Sequence, residues 1–413
     1  MRRALKLAAS AAIGLALSAG AAMSESVKIA FIDPLSGPFA TTGTNGLAEW
    51  EYAVDELVNK TGLAGEGRTF EVVAFDNKIS PKESLIQLQV AIDQGIRFIA
   101  QGNSSGVANA LTDAINKHNR RNPDDRVLFI NYSAVDPALT NDKCNFWHFR
   151  FDANADIKMD ALSDVIRTNQ DIQKVYLIGQ DYSFGKAVAA AAVKYLGEKR
   201  PDIEIVGNEL HPIGKVKDFT PYARKIMASG ADAIITGNWG ADMVGLGKSV
   251  ISGGFDGPIY TYYAAANGIT KTFGEQGKGA INQIGEGPLN PPASDRMKAY
   301  VEGFKAKNPD FDITQSRITN AAEMLAKAIA KADSTDAVAV ATALEGMEHD
   351  SIWGGKVFMR PEDHQAIQNV HIQSHTDENI VFDLDNSGFG LLAASTVEMA
   401  AMDSPTTCKM KRP

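Results

Sequence analysis

Gly102-Asn103-Ser104-Ser105-Gly106 is the run in this chain whose residue types most suggest chemistry. It follows a short apolar stretch, Arg97–Gln101, and precedes a helical pattern from Val107 to Asn119. A turn in that setting aims backbone N–H groups and the positive end of the helix dipole beyond the strand end. Ser104 and Ser105 add hydroxyl donors, and the combination suits a carboxylate or another small anion. On the motif alone, serines at a helix start more often cap that helix. The same five residues also satisfy G-x-S-x-G, the elbow that presents a nucleophilic serine in α/β-hydrolases. That chemistry needs an acid and then a histidine downstream. His211, His349, His364, His371 and His375 keep the order open. Gly/Ser-rich turns meet so short a pattern easily, so a hydrolase using Ser104 ranks below a binding protein.

Other motifs fail on inspection. Gly247-Lys248-Ser249 ends like a P-loop, but Asp242 occupies the position of its first glycine. Asp383 to Gly388 begins like a calcium loop, but its twelfth position is Ala394 rather than Glu. His371 and His375 share a strand face among Ser and Gln neighbours, which indicates a solvated face, and no metal is assigned. Cys144 and Cys408 are the only cysteines, too few for a four-cysteine zinc site.

The elements that must hold these residues follow a regular plan. Short apolar runs at Val27–Ile32, Phe70–Phe75, Arg97–Gln101 and Val127–Asn131 alternate with helical patterns at Leu47–Asn59, Pro81–Asp93 and Val107–Asn119. A second series follows residue 150. Its strands are Lys174–Gly179, Ile203–Asn208, Ala233–Thr236 and Ile259–Tyr262, and its helices are Asp156–Thr168, Gly185–Lys199, Pro221–Ala228 and Asp242–Ile251. Such alternation predicts doubly wound α/β lobes with right-handed crossovers. Helices fill Ser294–Leu344, and β-like runs follow at Lys356–Met359, Ala366–Gln373 and Ile380–Asp383. Two α/β lobes make the cleft between them the default binding site, beyond the carboxyl ends of the strands.

Composition sets the setting. With 413 residues, 44% of them hydrophobic, the chain exceeds one small core, and roughly two or three domains are expected. A net charge of −9 argues against nucleic acid as the main partner. Arg2, Arg3 and Lys6 precede an apolar, small-residue stretch to Ala22, which reads as a secretory signal over residues 1–24, cleaved near Ala22 or Ser24. The pattern around Arg2-Arg3 is not that of twin-arginine export, so general export is expected. An exported chain allows Cys144 and Cys408 to pair, which would tether the tail.

Taken together, these segments resemble the periplasmic binding proteins of ABC transporters for branched-chain amino acids. The likeness rests on Val27–Phe39 (VKIAFIDPLSGPF), Gly43 before a helix, Gly102–Gly106, Asn131–Thr140 (NYSAVDPALT), Gln180–Gly185 (QDYSFG) and Gly237–Met243 (GNWGADM), in that order. It implies a type I fold of two Rossmann-like lobes joined by three crossovers and closing on a ligand. Lobe 1 is then 25–150 plus 287–346, lobe 2 is 151–286 plus 347–397, and 398–413 is a tail. The resemblance puts a ligand carboxylate on Ser104, Ser105, Ser133, Ala134 and Val135, with Thr42 nearby. The second lobe would supply Phe184, Trp239 and the Tyr262–Ala264 turn, including Tyr263 and Ala264.

Two departures bear on the ligand. Relatives use a hydroxyl where Val135 stands, and they hold an ammonium with an acid in the turn that here runs Tyr262-Tyr263-Ala264-Ala265-Ala266. A buried ammonium without a counter-charge costs several kcal/mol. The expected ligand is therefore a small organic acid without an amino group, aromatic acids included, with a branched-chain amino acid as the alternative. The resemblance further implies a monomer in the periplasm, no cofactor, no covalent step, and delivery to a membrane permease.

Overall fold

The computed structural model describes residues 25–413, so the signal segment and its cleavage site lie outside the described residues. One parallel sheet is built from β1 (Glu25–Asp33), β2 (Arg68–Asp76), β3 (Phe98–Gln101), β4 (Leu128–Asn131) and β5 (His148–Arg150), in the order β2-β1-β3-β4-β5. Its helices are α1 (Ala40–Ala53), which runs on into a π-helical turn at Val54–Asn59, α2 (Pro81–Asp93) and α3 (Ser105–Arg121). After α4 (Ala155–Thr168) the plan repeats with β6 (Lys174–Gln180), β7 (Glu204–His211), β8 (Ala233–Thr236), β9 (Ile259–Thr261) and β10 (Ile281–Gly285). These lie in the order β7-β6-β8-β9-β10, the same winding as in the first sheet. Helices α5 (Ser183–Lys199), α6 (Thr220–Ser229), α7 (Gly240–Ser252) and α8 (Ile269–Phe273) connect them.

Beyond β10 come α9 (Asp295–Lys307), α10 (Arg317–Ala332) and α11 (Ala337–Leu344). Ile318, Leu325, Val340 and Leu344 pack with Trp50, Ile99 and Phe129 in the first core. A small antiparallel sheet follows from β11 (Glu348–Asp350), β12 (Lys356–Met359) and β13 (Ala366–Gln368). Then β14 (Val370–Thr376) and β15 (Gly390–Val397) extend the second sheet as antiparallel strands, before α12 (Met399–Met402).

The apolar runs fold as strands because helices cover both sheet faces. Ile29, Phe31, Ile99 and Ile130 are fully buried in one core, and Val175, Leu177, Ala233 and Ile235 are buried in the other. Each lobe starts its winding with the same close approach. A Cβ on Gly43 would lie 1.8 Å from the Pro34 carbonyl oxygen, and one on Gly185 would lie 1.9 Å from that of Gln180. Glycine alone lets the first helix of each lobe pack this tightly on its strand end.

The chain passes between lobes after β5, after β10 and between β13 and β14. The crossings are tied together: the Gln365 amide donates to the Asp152 carbonyl at 2.8 Å, and that of Gln368 to the Phe151 carbonyl at 2.7 Å. Cys144 and Cys408 are bonded, with their Cα atoms 5.7 Å apart, which fastens the tail beside Asn141.

Several expectations differ from this structure. Helix α1 starts at Ala40, well before Leu47, and β5, β10 and β15 were not anticipated. The run Ala366–Gln373 divides at Asn369 between two sheets. Ile380–Asp383 is not a strand, because the Asn290 side chain takes up its backbone, accepting from Val381 and Phe382 N–H and donating to the Phe382 carbonyl. Residues 347–366 were expected in lobe 2, yet Met347, Val357, Met359 and Ala366 pack in the first core. The lobe boundary in this stretch follows the sheet change near Asn369.

Candidate ligand site between the lobes

In each sheet the winding reverses at the first strand, between β1 and β3 and between β6 and β8. Loops beyond the carboxyl ends of the strands at such a point are splayed and leave a crevice. Here the two crevices face each other and enclose a cleft of about 600 Å³, counting its open mouth. Thr42, Ser104, Ser105, Ser133, Ala134, Val135, Phe184, Trp239 and Tyr263 all line it. Ala264 does not. Its N–H is turned away to the Gln283 side chain and its methyl packs in the second lobe, so the neighbouring Ala265 faces the cleft instead.

The serine turn is held from beneath by a buried carboxylate. Asp33 accepts the Gly102 N–H at 3.0 Å, the Asn103 N–H at 2.9 Å and the Tyr132 hydroxyl at 2.6 Å. Burial pushes its pKa up to about 7, against the pull of these donors. Ser104 stands at the N-cap of α3 with φ 80°, yet its side chain makes no capping hydrogen bond. Its hydroxyl is therefore free for the cleft. Ser105 is less free, since its Oγ accepts the Asp136 N–H at 3.2 Å. The loop after β4 offers less than expected, because the Asn131 side chain already takes the N–H groups of Ser133 and Ala134.

The opposite wall is aromatic. The Trp239 indole N–H donates to the Tyr182 hydroxyl at 2.8 Å, and Phe184 meets Tyr263 with ring centroids 5.9 Å apart. The Tyr263 hydroxyl crosses to the other lobe, 3.2 Å from both the Ser133 carbonyl and Asp152 Oδ2.

The residue that sequence reasoning missed is Arg317, at the start of α10. Among the described residues it is the only charged side chain lining the cleft. Its guanidinium donates to the Tyr132 carbonyl and to Ser133 Oγ, each at 3.1 Å, and to Gln315 Oε1. Behind it lies a buried cluster at the lobe junction. Arg317 Nε is 3.2 Å from Asp152, and Lys158 Nζ is 2.6 Å from Asp152 and 3.4 Å from Glu286. Burial, and Glu286 close by, push the Asp152 carboxyl up, against Arg317 and Lys158. The cluster holds two cations and two carboxylates, and the Arg317 guanidinium is the member of it that also lines the cleft. A second buried carboxylate, Glu49, fixes the adjoining loop by accepting the N–H groups of Thr314 at 3.0 Å and Gln315 at 2.9 Å.

Among the described residues, no histidine lines the cleft. His211 is bonded to Asn238, His349 to Lys327, His364 to Glu345, His371 to Thr396, and His375 to the Gly274 carbonyl. Asp383 and Asp385 accept backbone N–H groups, as turn residues do. Among the described residues, no three His, Cys, Asp or Glu side chains gather as a metal would need, and no helix is long and apolar enough to cross a membrane.

Residues 26–378 match the family model described as periplasmic binding protein. The chain belongs to that family. Proteins of this family are located in the periplasm, bind small molecules and work with membrane permeases. The chain is 30% identical over 417 residues to the Leu/Ile/Val-binding protein homolog 4 of Brucella abortus (strain 2308), covering 98% of this chain and 97% of the relative. Among solved structures, the closed conformation of the leucine-, isoleucine-, valine-, threonine-, and alanine-binding protein of Brucella ovis superposes with a TM-score of 0.81 at 28% identity. That match covers 94% of this chain and all of the other. A solute-binding protein of an ABC transporter from Rhodopseudomonas palustris HaA2, solved with p-hydroxybenzoic acid, shares the fold with a TM-score of 0.77 at 21% identity, over 91% of this chain and 98% of the other.

Proposed function

We propose that this member of the family is the substrate-binding component of an ABC transporter for a small carboxylate without an amino group, an aromatic acid in particular. The carrying observation is the charge of the cleft: among the described residues Arg317 lines it and no carboxylate does. An α-amino acid would bury an ammonium there without a partner, which costs several kcal/mol. A carboxylate finds the uncapped Ser104 hydroxyl, the start of α3 and the Arg317 side of the cleft, while Phe184, Trp239 and Tyr263 offer flat apolar surface to a ring. The Rhodopseudomonas palustris protein holds such an acid within the same fold. Lobe closure buries the ligand, and the closed form docks on the permease and releases it. On this reading the protein acts as a monomer and binds without covalent chemistry, which is supported by the lack, among the described residues, of a histidine lining the cleft near Ser104.

Thermal unfolding of the mature protein with leucine, benzoate and short aliphatic acids tests this. A ligand at 100 times its Kd adds about 2.7 kcal/mol. Stabilisation by benzoate and none by leucine is the expected result. Stabilisation by leucine alone would keep the receptor and overturn the ligand class.

A further inference from the structure

A second, smaller cavity, about 390 Å³ when the open space at its edge is counted, adjoins the cleft and shares Ala265, Gln283, Thr314 and Arg317 with it as common wall. Much of its lining is apolar, from Leu289, Leu384 and Leu391. Two amides interrupt that surface. Gln283 on β10 and Gln373 on β14 stand directly opposite each other on paired antiparallel strands and both line the cavity. Gln373 is 4% exposed, and its side-chain amide has no hydrogen-bond partner among the described residues. Gln283 gives its Oε1 to the Ala264 N–H, but its Nε2 has no partner among the described residues either. A Cβ on Gly285 would lie 3.3 Å from Gln283 Nε2 and 3.5 Å from Gln373 Nε2, so the missing side chain keeps open the space beside both.

Amide groups that a fold leaves open on a cavity are available to a guest there. Neither free amide group supports a turn, a cap or a crossing. The cavity does not call for a cation: Glu286, its one carboxylate, lies near Lys158 and Arg317 and is held below the ordinary range by them, although burial pushes it up.

We propose that this cavity is a distal subsite, which takes the far end of the ligand and reads a neutral hydroxyl or carbonyl on it through Gln283 and Gln373. The ligand class is thereby an extended acid: a carboxylate at the serine turn, an apolar body passing Ala265, and a polar uncharged terminus. This rests on the carboxylate reading of the cleft and adds the length and terminus of the ligand to it.

Calorimetric titration of the mature protein with 3-(4-hydroxyphenyl)propanoate, 3-phenylpropanoate and benzoate tests it. The hydroxylated acid should bind about tenfold more tightly than its parent, because a site built around hydrogen-bonding groups penalises the ligand that lacks one. Gln373→Leu should bring that ratio close to one and leave benzoate affinity unchanged. Gly285→Ala, which crowds both amides without changing either, should also lower the ratio, and guards against a folding defect in the first variant. Equal affinities in the unaltered protein, or a ratio that survives both substitutions, would overturn the subsite while benzoate binding still upheld the cleft. Failure of all three acids to bind would overturn the carboxylate reading and this inference with it.

Discussion

Phe39 and Trp239 meet across the mouth of the cleft with ring centroids 4.3 Å apart. Phe39 precedes α1 in the first lobe, yet it is 1% exposed and packs within the core of the second. It also sits against Gly240 and Gly214, where a Cβ would lie 2.8 Å from its ring. These contacts exist only while the lobes are together, so Phe39 stabilises the closed form and not the open one. Removing it shifts the population away from closure, and ligand affinity falls by the same factor. Phe39→Ala should weaken binding about tenfold, chiefly through a faster off-rate, while the unliganded melting temperature barely moves. Surface plasmon resonance on the variant checks this, and an unchanged off-rate would remove Phe39 from the closing contacts.

Asp33 touches no part of the cleft but fixes the turn that lines it. Burial raises its pKa to about 7, above the 3.8 of a free aspartate. A carboxyl raised on folding contributes stability that is fully present below the unfolded pKa and is lost as pH rises through the folded one. Folding stability should therefore fall between about pH 4 and pH 7 and level off above, by a few kcal/mol. Asp33→Asn should lessen that slope by its own share, the buried Glu49 and Asp152 carboxyls being raised by burial as well. It also leaves one acceptor oxygen where two N–H groups now bond, so ligand affinity should drop about tenfold even at the pH where the fold is more stable. Urea unfolding at several pH values, paired with calorimetry, separates the two effects. An unaltered pH slope in the variant would show that Asp33 titrates as an ordinary aspartate.

The sequence was informative where the physics is local. Runs such as Val27–Ile32 and Ala233–Thr236 show no alternation because both faces are covered, and they appear as strands. The turn 102–106 stands out because its residue types, strand and helix are contiguous. The misses are long-range. His148–Arg150 is a three-residue strand with polar ends, recognisable only from its pairing with β4. Arg317 gains its place from Asp152 and Glu286, which come from two separate lobe crossings, and no spacing along the chain announces that meeting. Gln283 and Gln373 left no trace either, because their strands, INQIG and VHIQSHT, carry other polar residues beside them. Ala264 and Ala265 are neighbours in one turn, and residue type does not tell which of two adjacent alanines faces the cleft.

Arg317 serves two roles that one substitution can separate. It lines the cleft, and it lies within 3.2 Å of Asp152 and 3.6 Å of Glu286. Arg317→Gln leaves two buried acids with Lys158 as their remaining cation. Breaking a buried ion cluster from one side costs about 3–5 kcal/mol, so the variant should unfold at clearly lower denaturant. Adding Asp152→Asn should recover much of that loss, because the surplus anion goes as well. Binding of a carboxylate should stay weak in the double variant, since the cationic side of the cleft is still missing. Recovery of binding together with stability would make Arg317 purely structural.

Ala265 offers the most direct test of why the cleft selects its ligand. It is half-buried and lines the cleft in the turn that follows β9. Ala265→Asp places a carboxylate on the aromatic side without disturbing the serine turn or Arg317. For an acid ligand the new charge repels, and a like charge brought into a partly desolvated site costs on the order of 1–3 kcal/mol. Benzoate affinity should therefore fall tenfold or more. For leucine the same group supplies the missing partner of the ammonium, and binding should rise into a range that calorimetry detects. The two changes must move in opposite directions, which a general loss of folding cannot mimic. If both ligands weaken together, the charge of this turn does not decide between amino acids and simple acids, and the selection lies in the shape of the aromatic wall.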